Sequence, residues 1–169
     1  MSLPPRIHPA TVWGLLGVVI LLVNALWRLV PLAALPFVQD GFGPAHWGAY
    51  AAFAVFMAWS EGYRGFQKQF VPRVIARAQG LPVQPRWTWP VAPAVCMGLL
   101  HATRRRLIIS WVLLLGILAL VLGVRQLPWE WRAIVDGGVV VGLGWGLVSL
   151  GWQTATAARR PTVEADFPR

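Results

Sequence analysis

Acidic residues are scarce in this chain: six Asp and Glu stand against fifteen Lys and Arg in 169 residues. Charged residues of both signs reach only 12%, about half the usual quarter, which argues against an ordinary water-exposed surface. There is one cysteine, Cys96, so an intrachain disulfide and a multi-cysteine metal site are both excluded. With three histidines and no second thiol, no metal and no cofactor is expected. The chain also has no H-E-x-x-H and no phosphate-binding Walker loop. GLVSLG around Ser149 has the wrong spacing for a nucleophile elbow, and no histidine lies in a neighbouring apolar run.

What the chain does have is apolar length and tryptophan. Hydrophobic residues make up 57% and Trp occurs eleven times. This composition predicts one small membrane domain spanning the 169 residues. A crossing helix needs about 20 mostly apolar residues, and four stretches are read as spans, at about 11–30, 45–61, 107–124 and 131–152. The second is the shortest and reaches full length only if its helix runs on through Glu61 to about Phe70. Trp13 and Trp27 bracket the first span, Trp47 and Trp59 the second, and Trp129, Trp131 and Trp152 the fourth; Trp111 marks the entry to the third. Indole favours the interface, where its ring is shielded and its N–H stays wet. The N-terminal MSLPPRIHPATVWGLLGVVILLVNALW is expected to be a retained span, because its apolar core outruns a signal peptide and no convincing A-x-A cleavage site follows it. The expected fold is therefore an all-α, integral membrane four-helix bundle, with an interfacial amphipathic segment in the long cytoplasmic loop.

Charge orients the four spans. Loop 62–106 carries Arg64, Lys68, Arg73, Arg77, Arg86, Arg104, Arg105 and Arg106, and the tails add Arg6, Arg159, Arg160 and Arg169. Against these twelve bases stand Glu61, Glu164 and Asp166, so the whole net charge of +9 falls on one side. On the other side Arg28, Arg125 and Arg132 are balanced by Asp40, Glu130 and Asp136. The positive-inside rule puts both termini, the tail 153–169 and the long loop in the cytoplasm. A basic soluble domain would suggest nucleic acid, but in so apolar a chain the expected partner is anionic phospholipid, not nucleic acid.

The long loop is the only place with room beyond the spans. As an α-helix, Glu61, Arg64 and Lys68 share one face and Tyr63, Phe66 and Phe70 another. Bases would snorkel to phosphates while rings stay at the acyl boundary. A break at Pro72 and a short surface helix over Pro72–Ala78 are expected next. QGLPVQPRWTWPVAP, with four prolines, reads as irregular chain held at the interface by Trp87 and Trp89. PAVCMGLLHATRRR reads as a helix ending in three arginines, either interfacial or extending the third span. Arg64, Lys68, Arg73, Arg77, Arg104, Arg105 and Arg106 are the expected lipid- or partner-binding set. His101 reads as an interfacial histidine or as a phosphate contact beside Arg104 and Arg105.

Asp136 is the strongest candidate for an intramembrane ion or proton site, with Arg132 one turn back on its face and Glu61 as a second acid. An interfacial Asp favouring the positive end of its helix is an equal reading. Glu61 otherwise reads as a surface pair with Arg64 or Lys68. Asn24 is expected to hydrogen-bond another helix. Gly138, Gly142 and Gly146 recur every four residues and predict close helix packing, within the chain or with another subunit. Gly137, Gly144 and Gly151 form a second stripe with a period of seven. DGGVVVGLG opens with the Asp-Gly of phosphatidyl-transfer enzymes but lacks the further aspartates that family needs.

WSEGYRGFQKQFVPRVIARA, HATRRRLIISW and VRQLPWEWRAIVDGGVVVGLGWG resemble stretches of small, uncharacterised multi-pass membrane proteins of proteobacteria and cyanobacteria, over most of residues 45–150. The resemblance implies a bacterial inner membrane and carries over no activity and no catalytic residue. The first functional reading is a non-enzymatic assembly, scaffold or accessory subunit with a basic cytoplasmic face, beside a larger complex or in a homo-oligomer. The alternative is a small oligomeric transporter or channel using Asp136 and Glu61, which a flux abolished by Asp136→Asn would single out. A third is a lipid-modifying enzyme gripping phosphate with Arg104, Arg105 and Arg106, which lacks a nucleophile or base beside that grip; altered lipid extracts in a deletion strain would reveal it. Topology is directly measurable: reporters fused after residue 90 and at Arg169 are expected in the cytoplasm, and periplasmic activity of either would overturn the charge-based orientation.

Overall fold

The computed structural model describes residues 8–156, which are helical with no strand among them. Arg6, Arg159, Arg160, Glu164, Asp166 and Arg169, used in the charge comparison, lie outside the described residues. Three helical segments are long and apolar enough to cross a membrane: Pro9–Phe37, Arg104–Val124 and Trp129–Thr156.

Helix α1 (Pro9–Ala33) opens with Pro9 in its first turn, where a missing N–H costs nothing, and His8 Nδ1 accepts from Ala10 N–H at 3.2 Å. Its 25 residues span about 38 Å, more than the roughly 30 Å of bilayer hydrocarbon. A 3₁₀ turn, Leu35–Phe37, leads to α2 (Pro44–Met57), which passes without a break into a π-helix, Ala58–Phe70, and then into α3 (Val71–Gly80). The predicted break at Pro72 is instead a change of helix type. Val71 N–H still reaches back five residues to Phe66 O. Pro72 has no N–H to continue that ladder, and the tighter α ladder takes over beyond it.

The proline-rich stretch forms two 3₁₀ turns, Leu81–Val83 and Arg86–Thr88, followed by the short α4 (Ala92–Cys96). The helix expected to run from Pro93 to the arginines stops at Cys96. Gly98 (φ +76°) and His101 (φ +48°) take left-handed conformations, and a new helix, α5 (Arg104–Val124), starts after them. So 91–106 is neither an extension of the third span nor a single interfacial helix. Helix α6 (Trp129–Thr156) follows.

Side-chain partners give the chain directions. Thr11 at the start of α1 donates to Ala78 O at 2.9 Å, and Ala33 O at its end accepts from Tyr50 Oη at 3.1 Å, so α1 and residues 44–80 are antiparallel. Residues 44–70 run parallel to α6: Tyr50 meets Gly137, Glu61 meets Gly142, and Phe66 meets Gly146. At one end of these helices Phe37, Phe42, His46, Trp47, Tyr50, Trp129 and Trp131 form a ring cluster with centroids 5.0–6.3 Å apart. The packed core lies towards the other end, where α1, α3, α4 and α6 enclose Val18, Val71, Val74, Ala78, Leu81, Val95, Cys96 and Leu150.

The period-four glycines are where α6 is pressed upon. An added Cβ on Gly138 would strike the Phe53 ring, and on Gly142 would come within 3.2 Å of Glu61 Cβ. On Gly146 it would sit 2.5 Å from the Phe66 ring. The contact is reciprocal, since a Cβ on Gly62 would lie 2.9 Å from Trp145 Cβ. The neighbour is thus in the same chain. Of the period-seven set only Gly137 is engaged, against Tyr50; nothing lies within 4 Å of a Cβ on Gly144 or Gly151. Helix α1 has a small-residue face of its own, Gly14 against Cys96 and Gly17 against Pro93, which lets α4 approach.

Helix α5 is different. It is the most apolar of the three long segments, yet residues 111–123 are all exposed. Of the expected bundle of four, α1, residues 44–80 and α6 pack together, while α5 shares little surface with them. A helix apolar all round with no protein on it suits a lipid environment.

Gly146→Leu is expected to destabilise the chain by about 1–3 kcal/mol through overpacking against Phe66, whereas Gly144→Ala should be near neutral. Thermal unfolding in mild detergent, followed by circular dichroism, reads the difference, and equal melting of the two variants would contradict this packing.

Candidate functional site

The basic residues of the long loop come to the end of the packed rods opposite the Phe37–Trp131 ring cluster, where α1 begins and α3, α4 and the first turns of α5 meet. They do not form one uniform surface. Arg64 and Lys68 on the π-helix are exposed, and Lys68 Nζ sits 4.4 Å from the centroid of the Tyr63 ring. Tyr63 in turn stacks on Trp59 at 5.1 Å. The wider turn of the π-helix regroups the predicted faces. Phe66 leaves the expected acyl-boundary face and packs on Gly146, with Phe70 edge-on to it at 5.4 Å. Glu61 is exposed and has no ion pair with Arg64 or Lys68 among the described residues.

Helix α3 does not lie free on a surface as expected. Val71, Val74 and Ala78 are fully buried in the core. Arg77 is buried with them, only 3% exposed, and so is withdrawn from the lipid-binding set. Its Nε donates to Val95 O at 2.7 Å and its Nη2 to His101 O at 2.7 Å. The guanidinium thus adds a charged donor to carbonyls at the end of α4 and in the following loop, Val95 O accepting from Gly98 N–H as well. A charge at this depth is tolerable because it is hydrogen-bonded. Beside it, burial pushes the Cys96 thiol up to about 12, against the opposing pull of Arg77. Cys96 is therefore a protonated, inert core residue under Gly14 rather than a nucleophile.

His101 also departs from its predicted setting. It lies in the loop, not on a helix with the arginines. Its Nε2 is 2.9 Å from Gln84 Oε1 and its ring meets Trp87 edge-on at 5.3 Å. Trp13 and Trp111 donate their indole N–H to Pro90 O at 3.2 Å and Leu99 O at 3.1 Å, pinning the loop across the ends of α1 and α5. Arg104 and Arg105 are exposed in the first turn of α5, while Arg106 is partly buried towards the loop. Arg73 is partly buried too; burial, and then the charge of Arg106, hold its guanidinium below its usual value.

The acids behave differently from one another. Asp136 is 6% exposed, two turns into α6, and Arg132 Nε approaches its Oδ2 to 3.5 Å. That oxygen has no aligned hydrogen bond, so the contact is an ion pair by distance only. Glu61 faces Gly142, six residues further along α6, so the two acids are not brought together. Asn24 is exposed on α1 and makes no hydrogen bond among the described residues, contrary to expectation. No grouping of three or more His, Cys, Asp or Glu fit to hold a metal occurs among the described residues.

Several positions with consequences here were not singled out by sequence reasoning. Gln67 receives Trp145 Nε1 on its side chain at 2.7 Å and Gln153 Nε2 on its backbone carbonyl at 2.9 Å, tying the π-helix to α6. Gly98 and Ser110 were also passed over. The available signal for Ser110 was its isolation, a hydroxyl inside LIISWVLLLGILALVLGV.

Replacing Arg77 by Ala or Met should cost about 3 kcal/mol or more, since buried carbonyls lose charged donors; Arg104→Ala should cost under about 0.5 kcal/mol. Melting temperatures in detergent check the contrast, and an Arg77→Met protein as stable as the parent would refute it. Compared with known proteins, the chain matches no protein-family model, no curated protein and no solved structure.

Proposed function

We propose that the protein is a non-enzymatic, four-span accessory or scaffold subunit of a bacterial inner membrane, with a basic cytoplasmic face that rests on anionic phospholipid or on a partner. The single observation behind this reading is the sorting of charge and rings along the rods. Arg64, Lys68, Arg73, Arg104, Arg105 and Arg106 belong to one end, and the aromatic cluster around Trp47 and Trp129 to the other. Anionic headgroups on the cytoplasmic leaflet attract such a basic end, worth about 1 kcal/mol per Lys or Arg near the surface.

The chain directions support four crossings. Helix α1 runs from the basic end to the aromatic end, and residues 44–70 run back, side by side with α6. Trp129 at the start of α6 lies in the aromatic cluster, with its ring 6.0 Å from that of Phe42, so α5 must carry the chain back across. On this reading residues 44–70 are the second span, the short apolar stretch being completed by the π-helix. The amphipathic segment is then narrower than expected. It comprises the exposed bases of the π-helix and the first turn of α5, while the rest of α3 belongs to the core.

The buried acid and the missing nucleophile favour this reading over the catalytic and transport ones. Asp136 is already engaged by Arg132, and Cys96 is sealed in the core. Neutralising Arg104, Arg105 and Arg106 together to Gln is expected to lower the anionic phospholipid that co-purifies with the protein by at least two-fold, or to release a stoichiometric protein partner. Lipid phosphorus assay and mass spectrometry of the mild-detergent preparation read both. An unchanged lipid content with no partner in either preparation would defeat the proposal.

A further inference from the structure

Where α3 and the start of α5 flank the loop, two polar groups are left unsatisfied where burial makes that costly, with a third, partly buried cation beside them. Ser110 is 7% exposed and its Oγ has no hydrogen-bond partner. The Nε of Arg73 is likewise buried and unpartnered. Arg106, one helical turn before Ser110 on the same face, has no acidic partner among the described residues. Buried donors are normally paired, and each orphan calls for an account.

Two of these groups meet at the loop, and the third lies on the helix to which the loop is tied. Arg77 anchors α3 on Val95 O and His101 O, and Arg73 lies one turn earlier on that face of α3. Gly98, inside the anchored loop, is the common neighbour of the other two: an ideal Cβ there would lie 3.3 Å from Ser110 Oγ and 3.5 Å from Arg106 Nε. Gly98 has φ +76°, so a side chain there is disfavoured, and Ser110 and Arg106 close in on its bare backbone. The charge of Arg106 acts on Arg73 unfavourably, with no acid to relieve it. Two like charges and an unpartnered hydroxyl donor together make an environment that favours an anion.

We propose that Arg106 and Ser110, which meet at Gly98, together with Arg73 from the adjoining α3, bind one phosphate group, carried by an anionic lipid headgroup at the point where α5 enters the membrane. Guanidinium forks suit the several oxygens of a phosphate, and Ser110 supplies a third, neutral donor. Residues 111–123 continue from the site as a bare apolar surface along which acyl chains can lie. The site rests on the basic lipid-facing end proposed above and would be its one ordered position. Arg104 and Arg105, exposed on the same turn, belong to the diffuse surface and not to the site.

Native mass spectrometry of the full chain in mild detergent, titrated separately with phosphatidylglycerol, phosphatidylcholine and inorganic phosphate, tests this. The expected result is one phosphatidylglycerol per chain, weakened at least ten-fold by Arg106→Gln and several-fold by Ser110→Ala. Arg104→Gln with Arg105→Gln should change it less than two-fold, and Arg106→Lys should fall between wild type and Arg106→Gln. Retention of inorganic phosphate in place of the lipid, lost in Arg106→Gln, would support the phosphate site and name a free anion as its source. Equal retention of phosphatidylcholine, or unchanged phosphatidylglycerol in both Arg106→Gln and Ser110→Ala, would overturn it. Total co-purified lipid in the Arg104 and Arg105 double variant separates the two ideas. If it falls while Arg106→Gln still holds its lipid, the site fails and the basic surface stands. If it is unchanged while Arg106→Gln loses its single lipid, the site stands and the surface fails.

Discussion

The close approach of α6 to residues 44–70 is the contact on which the rest of the structure depends. Gly137, Gly138, Gly142 and Gly146 remove side chains from one face of α6, and Tyr50, Phe53, Met57, Glu61 and Phe66 occupy the room. Gly62 returns the favour for Trp145. In a lipid solvent, apolar burial gives no net drive for helices to associate, so van der Waals fit has to supply it. Rings set against glycines supply such fit, because each aromatic face covers a wide area of bare backbone. Polar contacts then secure the register: Trp145 and Gln153 both reach Gln67.

That contact also makes sense of the π-helix. Over Ala58–Phe70 the chain carries three glycine or serine positions and alternates rings with bases. A π ladder widens the turn, so Gly62 and Phe66 both face α6 while Lys68 comes over Tyr63. Pro72 then ends that ladder by lacking an N–H. The return to α geometry brings Val74, Arg77 and Ala78 into the core beneath α1 and α4. Arg77 sits at the junction of these events. A charge that the composition marks as surface becomes the hydrogen-bonding hub for the end of α4, and the loop it holds shapes the ground next to Arg73, Arg106 and Ser110.

Two kinds of arginine emerge at the basic end. Arg64, Arg104 and Arg105 are exposed and interchangeable in principle, acting through charge that salt would screen. Arg73, Arg77 and Arg106 are held at least partly out of water, where charge is less screened and an unpaired donor costs more. The same division runs through the acids. Glu61 sits in the open with its stem on Gly142, whereas Asp136 is buried beside Arg132.

Composition and periodicity by themselves determined that the chain is helical, apolar enough for a membrane, and crowded with glycine on one face of α6. These are local properties: span length follows from runs of apolar residues, and a missing side chain is missing in any fold. The boundaries of α5 and α6 were legible to within a few residues for the same reason, since Arg104–Arg106 and Pro128 interrupt the apolar pattern. What only the tertiary structure decided was which partner each residue meets. Glycine spacing carries no label for its neighbour, so the identity of residues 44–70 as the occupant of that face was not readable. An α-helical wheel also misassigned Phe66, because the backbone there turns with a wider period. Arg77 and Ser110 fell outside prediction because burial is a property of what packs around a residue. A lone arginine or serine in the chain has no way to announce which carbonyls, or which neighbouring charges, the fold will bring to it.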